Sequence, residues 1–320
     1  MGLRWGIIGT GGIARTFAQD LTFTDHRVVA VGSRTQQGAE SFELAERRYG
    51  SYEELVSDGD VDAVYIATPH AFHRDNALLA IGAGKHVLVE KAFTLNTRQA
   101  REIMDAARSQ NVAVLEAMWT RFLPHIATLR EIIASGEIGD VLSIIADHGQ
   151  NLPRSKAERL WAPELGGGAL LDLGVYPISF AHMILGKPDS IVSSATLTDE
   201  GVDSQVSAAL TYRNGSQASV HATMLVQTSN TAVVSGTRGR IELSSRFYSP
   251  TDMRVFSAGS FREIPNKYEG VGHREQALAF EKIIKDGRRE SELMSHQQTL
   301  DVMETMDLIR EQCAVRYAVD

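Results

Sequence analysis

A short stretch near the start of the chain restricts the fold more than any other. Leu3-Arg4-Trp5-Gly6-Ile7-Ile8 is an apolar strand pattern, Gly9-Thr10-Gly11-Gly12-Ile13-Ala14 follows without a spacer, and a helical pattern then runs from Ile13 through Phe17. Strand, glycine turn and helix in this order fit the dinucleotide fingerprint on Gly9, Gly11 and Ala14. The first glycine makes the turn, the second lets backbone approach a pyrophosphate, and the small third residue lets helix pack on strand. The helix start adds free N–H groups and a partial positive charge that suit phosphate. Gly9, Thr10, Gly11, Gly12 and Ile13 are therefore expected to hold a dinucleotide.

The alternation continues downstream. Val28-Val29-Ala30-Val31 is the next strand, and it ends in Gly32-Ser33-Arg34. An NAD enzyme offers Asp or Glu to the adenine ribose at about this point. Ser33 and Arg34 instead suit the 2′-phosphate of NADP, because a guanidinium makes bidentate, charge-assisted contacts to phosphate oxygens. The competing reading of Arg34 is a solvated loop arginine. Asp62 to Pro69 forms a third buried strand, with His70 and His73 at the start of the following helix. Two histidines at this spacing can share a helix face, but no third metal ligand is near in sequence, so no metal is expected. Thr68, Pro69 and His73 are placed for cofactor contact at the strand's carboxyl end, with helix capping the alternative for His70.

His86 to Phe93 is an apolar run that ends abruptly on Glu90-Lys91, as a buried parallel strand does when its carboxyl end opens onto a ligand. The plain alternative is a surface ion pair. A helix over Thr97 to Gln110 and a strand over Val112 to Leu115 complete a doubly wound parallel sheet. The expected domains are residues 1–120, which bind NADP, and 121–320, which bind substrate and dimerise, with the last helices able to pack back on the first domain.

The second half changes character. A helix from Pro124 to Ala134 leads to a strand over Val141 to Asp147, then to an irregular segment containing Trp161. Gly166-Gly167-Gly168 opens a helical run from Ala169 to Leu185, within which Asp172 and Tyr176 share a face. From Ser190 the pattern becomes strict alternation, with a tight hairpin at Asn214-Gly215. One sheet face carries Val206, Ala208, Leu210, Ala218, Val220 and Ala222. The other carries Gln205, Ser207, Ala209, Thr211, Ser219, His221 and Thr223, without a charge, which suggests cover by a second copy of the chain. Helices from His273 to Asp286 and from His296 to about Arg316 follow, the latter with a Ser295/Gln298 capping box. Val302, Met306, Ile309 and Cys313 form its stripe, and are expected in the core.

Composition narrows the function classes. With 43% hydrophobic and 22% charged residues in 320, the chain can bury two cores, and its net charge of -8 without a basic stretch argues against nucleic acid or anionic membrane as partner. Cys313 is the only cysteine, so no intrachain disulfide is expected, in keeping with a reducing cytoplasm. No segment is expected to span a bilayer.

The glycine fingerprint, Glu90-Lys91 and Gly166-Gly167-Gly168-Ala169-Leu170-Leu171-Asp172-Leu173-Gly174-Val175-Tyr176, in that order, resemble the glucose-fructose oxidoreductase and inositol dehydrogenase (Gfo/Idh/MocA) family over nearly the whole length. That resemblance implies a Rossmann domain followed by an α/β domain on a largely antiparallel open sheet that often forms dimers. Tyr176, where many members have His, and Glu116 to Phe122 look like the branch of dimeric dihydrodiol dehydrogenases and NADP-linked D-xylose dehydrogenases. The family's usual Glu-Lys-Pro is Glu90-Lys91-Ala92 here. A cis bond before Ala92 costs about 2.5–4 kcal/mol, which favours a trans bond and a slightly displaced lysine.

The reading is of reversible hydride transfer between NADP, with NAD the less suited nucleotide, and a secondary alcohol or hemiacetal carbon of a sugar or cyclic diol. Tyr176 is the expected acid/base, Lys91 the ammonium that lowers its pKa, and Asp172 the anchor for Lys91 or a substrate hydroxyl. Trp119, Arg121 and Trp161 are expected to line the substrate pocket, with core packing as the alternative. Two other readings are an oxidoreductase that retains its nucleotide through a full cycle, and a regulatory protein that binds NADP without catalysis.

Overall fold

The computed structural model describes residues 2–320. Two compact units divide the chain: one runs up to Trp119 and resumes over Gly270–Leu300, the other comprises Thr120–Glu269 and Asp301–Asp320.

The first unit alternates strand and helix: β1 (Arg4–Ile8), α1 (Gly12–Leu21), β2 (Arg27–Gly32), α2 (Gln36–Glu40), β3 (Arg47–Tyr49) and α3 (Tyr52–Val56). β4 (Ala63–Ile66), α4 (His73–Gly82), β5 (His86–Glu90), α5 (Thr97–Gln110) and β6 (Val114–Ala117) follow. The strands are all parallel and stand in the order β3-β2-β1-β4-β5-β6. This is the dinucleotide-binding order, with its direction of winding reversed between β1 and β4, where a crevice forms at the carboxyl ends. Ala63 to Ile66 and Val87 to Glu90 are buried, as strands covered on both faces must be. Apolar periodicity passes over β3, because Arg47-Arg48-Tyr49 has no apolar run. This edge strand is held by pairing to β2 and by the Asp58 carboxylate, which accepts from Arg47 Nε at 2.7 Å and the Tyr49 hydroxyl at 3.0 Å. The strand that ends on Glu90 is consequently the fifth, not the fourth.

The second unit contains α6 (Pro124–Ala134), β7 (Val141–Gly149), α7 (Arg154–Ala157), α8 (Val175–Leu185), β8 (Ser190–Leu197), β9 (Asp203–Thr211) and β10 (Gln217–Thr223). β11 (Ala232–Gly236), β12 (Gly239–Leu243), β13 (Met253–Ser257) and β14 (Ser260–Ile264) complete its sheet. The order is β14-β13-β12-β11-β7-β10-β9-β8, antiparallel except where β7 meets β10. The hairpin at Asn214-Gly215 forms, with Gly215 at φ +86° and the Tyr212 N–H donating to Ser216 O at 3.1 Å. Val206, Ala208, Leu210, Ala218, Val220 and Ala222 are buried on one face. The other face is divided in character. Across β8, β9, β10 and β7 it presents Val192, Ser207, Ala209, Ser219 and Ile145, of which Val192 is 73% and Ile145 60% exposed, together with the half-buried Asp147 of β7 opposite His221. Across β12 to β14 it carries the ion pairs Arg240–Glu242 (2.7 Å) and Arg254–Glu263 (3.1 Å). Contrary to the expectation that nothing reaches membrane-spanning length, Pro163–Leu185 is long and apolar enough by composition, but 83% of its most apolar window is buried, as in a core helix.

Two last helices are α9 (His273–Lys285) and α10 (His296–Gln312). α9 belongs to the first unit: Phe280 lies 5.9 Å from the Trp5 ring, and the buried Asp20 carboxylate of α1 accepts from the backbone N–H groups of Gly272 (3.2 Å) and Arg274 (2.7 Å). The capping box forms reciprocally, Gln298 N–H to Ser295 Oγ at 3.2 Å and Ser295 N–H to Gln298 Oε1 at 3.1 Å. Val302, Met306 and Ile309 are buried, while Cys313 is half-buried.

Candidate functional site

In the first unit the glycine loop is shaped for a phosphate. Gly9 has φ +107°, and a Cβ there would sit 2.7 Å from Ala67 O, so the turn admits only glycine. At Gly11 and Gly12 an added Cβ would meet nothing within 4 Å, which leaves open space over these two residues at the start of α1. That helix has no side-chain cap and no acidic residue in its first turn, so its N–H groups and dipole face the opening unopposed. Beyond β2, Ser33 is half-buried and donates its N–H to Tyr49 O at 3.1 Å. Arg34 is exposed and takes part in no hydrogen bond or ion pair among the described residues, so its guanidinium is available. Ser33 and Arg34 stand where an NAD ribose would be met by Asp or Glu. The residues present fit NADP.

The ends of β4 and β5 are tied by imidazoles. His70 is buried with Nε2 3.3 Å from Lys91 O. His73 has no exposure: Nε2 lies 2.8 Å from Thr68 O, and Nδ1 lies 3.0 Å from Ala92 O and 3.3 Å from Phe93 O. Where the sequence suggests cofactor contact for His73, the structure shows both ring nitrogens against backbone carbonyls. Thr68, just before Pro69, accepts at Oγ1 from Asn76 at 3.1 Å. Glu90 is buried, accepting from the Tyr65 hydroxyl and, at 3.2 Å, from the N–H of Lys91, while Tyr65 stacks on Phe17 at 4.0 Å. This buried carboxylate replaces the surface ion pair as the reading of Glu90. The Lys91–Ala92 peptide is cis, which corrects the trans bond expected from the alanine. Trp119, also in this unit, is buried against the imidazole of His273 (4.4 Å between ring centroids). Burial pushes the His273 pKa down to about 4; Asp20 opposes the fall and the Lys91 ammonium adds a smaller push in the same direction as burial.

In the second unit the glycine triplet earns its place by close approach. Gly168 has φ +113°, and a Cβ there would lie 2.2 Å from Asp203 Oδ1. Asp203 is fully buried, and its Oδ2 accepts the Leu170 N–H at 2.6 Å. Burial pushes this carboxyl up to about 7, opposed by the backbone N–H groups it accepts from. The expected helix over Ala169 to Leu185 forms, but Leu170–Gly174 winds as a π-helix before α8. Asp172 on that turn pairs with Arg159 Nη2 at 2.9 Å. Tyr176, 7% exposed, belongs to a ring cluster: His148 at 5.1 Å, Tyr248 at 5.0 Å, and His148 stacked on Tyr248 at 4.0 Å. The Gln150 amide donates to His148 Nε2 at 2.9 Å. Periodicity carries no sign of Arg159 or Tyr248. The strand alternation that buries His148 on β7, with a polar tip in an apolar row, is the one signal available. Trp161 is half-buried and donates its indole N–H to Leu152 O at 3.0 Å. Arg121 is 1% exposed and donates to Ser179 Oγ (3.0 Å) and Ser179 O (2.9 Å), which places it in the core alternative rather than along a pocket.

Both units have recognisable relatives. Residues 3–118 match the oxidoreductase family with an NAD-binding Rossmann fold, and residues 126–242 match the GFO/IDH/MocA C-terminal domain. The chain belongs to the Gfo/Idh/MocA oxidoreductase family. It is 35% identical over 331 residues to a trans-1,2-dihydrobenzene-1,2-diol dehydrogenase of Xenopus laevis, covering 99% of this chain and 100% of that protein. It is 34% identical over 363 residues to D-xylose 1-dehydrogenase (NADP(+)) of Hypocrea jecorina, covering 98% and 93%. Among solved structures, the 3-ketoreductase KijD10 of Actinomadura kijaniata, in complex with NADP and TDP-benzene, superposes with a TM-score of 0.87 at 26% identity, covering 98% of each chain.

Proposed function

We propose that this protein is an NADP-dependent dehydrogenase acting on a secondary alcohol or hemiacetal carbon of a sugar or cyclic diol. One observation carries the reading: a single chain holds both an unobstructed phosphate loop with a free arginine at the adjacent strand end and a phenol, Tyr176, packed among other rings with polar tips. The family, and full-length relatives named as D-xylose 1-dehydrogenase (NADP(+)) and trans-1,2-dihydrobenzene-1,2-diol dehydrogenase, support the same class of chemistry.

Held by Gly9 to Ile13, Ser33 and Arg34, with Thr68, Pro69 and Glu90 at the neighbouring strand ends, the nicotinamide nucleotide supplies the hydride chemistry. What remains for the chain is to orient a hydroxyl and move one proton. Tyr176 is the proton carrier in this proposal. A free phenol titrates near 10 and is poorly matched to neutral pH, so it needs a positive charge that favours the phenolate, the role assigned to Lys91. Asp172, held by Arg159, is the carboxylate this proposal assigns to a substrate hydroxyl. The half-buried Trp161 is assigned to stack on the substrate ring, whereas Trp119, buried against His273, takes the core-packing alternative. Arg121 is left out of the proposed site because Ser179 occupies its guanidinium.

Tyr176→Phe tests the assignment. Turnover falls about 10²–10⁴-fold while NADP binding, followed by fluorescence titration, persists. Near-normal turnover refutes it. A panel of pentoses, hexoses, inositols and aromatic diols then fixes the substrate. We also propose a homodimer through the β8, β9, β10 and β7 part of the second unit's sheet, in a reducing cytoplasm; the exposed Val192 and Ile145 support the first of these.

A further inference from the structure

We propose that His73 is a buried imidazolium that clamps the ends of β4 and β5 together and so positions Lys91. The functional half of this rests on the role proposed for Lys91; the charge does not. Carbonyl oxygens only accept hydrogen bonds, and a neutral imidazole has one N–H and one bare nitrogen. With Nε2 2.8 Å from Thr68 O and Nδ1 3.0 Å from Ala92 O, either neutral tautomer sets a lone pair against a lone pair. The doubly protonated ring donates to both. Turning the ring over exchanges both nitrogens for carbons and forfeits both bonds, so it offers no escape. Burial alone disfavours the charge, which makes the paired acceptors the feature that holds it.

The two acceptors follow strands that are direct neighbours, Ile66 opposite Val89, so a donor to both fixes the separation of the chain where each strand ends. Ala92 is the residue after Lys91. Around the ring, His70 stands edge-on at 5.5 Å, Glu90 and Lys91 bring opposite charges at the end of β5, and on α4 itself Arg74 is engaged by Asp75 (2.7 Å) and by Glu102 of α5. Loss of the proton turns one of the two bonds into a repulsion, parts the strand ends and shifts Lys91. His73 is in this sense a positioning residue: it acts on the lysine, not on the substrate.

Nitrogen NMR of the full-length protein, labelled with ¹⁵N and ¹³C, tests the charge. Couplings across the hydrogen bonds to the Thr68 and Ala92 carbonyls assign the ring in the wild type, so no variant has to fold. Two protonated nitrogens through pH 8 are expected; one bare nitrogen at pH 7 overturns the imidazolium. Turnover tests the positioning. His73→Gln keeps a donor but not the charge, and is expected to lower kcat at least about tenfold in the wild type and less than about twofold in a Lys91→Met background. Equal losses in both backgrounds overturn action through Lys91. Near-normal turnover of Lys91→Met itself overturns the role of the lysine, and the spectra then decide the charge on their own.

Discussion

The contact between Gly168 and Asp203 makes a quantitative prediction for Gly168→Ala. The backbone there sits at φ +113°, which an alanine reaches only at a cost of about 1–3 kcal/mol. The new Cβ also falls 2.2 Å from Asp203 Oδ1, so a fully buried carboxylate has to move. Moving it gives up the bond from Leu170 N–H, worth about 1.5–3 kcal/mol for a charged partner. The total is about 2.5–6 kcal/mol, read as a loss of unfolding free energy in urea by far-ultraviolet circular dichroism at pH 9, above the carboxyl's raised pKa of about 7, where it is ionised. Asp203→Ala separates the two contributions. In that background the carboxylate is gone, and Gly168→Ala costs only the backbone share, about 1–3 kcal/mol. A loss below about 1 kcal/mol in the wild type, or the same loss in both backgrounds, refutes the argument. Leu170 opens the turn that carries Asp172 and leads to Tyr176, so a reduced kcat is expected in whatever fraction stays folded.

Arg34→Ala removes the free guanidinium, and NADPH affinity falls about 10–100-fold while NADH affinity changes less than about twofold; equal losses for both nucleotides count against a 2′-phosphate contact. Acid stability follows from buried histidines. Burial pushes His182 down to about 3 and His125 and His273 to about 4. Their folded pKa lies below the unfolded value, so the unfolded chain binds more protons, and their contribution is full above about 6.5 and lost as pH falls towards 4. His182→Gln makes the acid loss of urea stability shallower between pH 6.5 and 4, and an unchanged slope contradicts this. Asp203 works in the opposite sense, its raised pKa costing stability as pH rises from about 4 through about 7. Ile145→Lys, on the exposed face of β7, converts the proposed dimer to monomer by light scattering, and a wild type already monomeric at micromolar concentration removes the basis for it.

The local parts of the molecule were written plainly in the sequence. Apolar runs ending on Gly9, Thr68 and Glu90 marked the carboxyl edge of the parallel sheet, Pro124 to Ala134 gave a helix to the residue, and Asn214-Gly215 gave its hairpin. Each depends on neighbours a few positions apart. What stayed hidden depends on distant ones. Arg159 is linked to Asp172 by an irregular segment with no period to read, and His148, Tyr176 and Tyr248 meet from three separate elements. β3 was missed because backbone pairing and one carboxylate hold it, without an apolar side chain. The π-turn at Leu170–Gly174 changes the winding but not the residue types, so periodicity cannot see it. The cis bond before Ala92 went against the one local preference available, that of alanine for trans.

The return of Gly270–Leu300 to the first unit bears on how the protein is made. Asp20 closes on the N–H of Arg274, and Trp5 packs on Phe280, so the nucleotide-binding half lacks part of its core until the far end of the chain leaves the ribosome. The intervening stretch of about 150 residues takes about 8–30 s to synthesise at about 5–20 residues per second. During that interval the parallel sheet exists without α9, with apolar surface open to chaperones and to other nascent chains. A fragment ending at Trp119 is therefore the wrong unit in which to express the nucleotide site, and slow codons placed early in the gene gain it nothing.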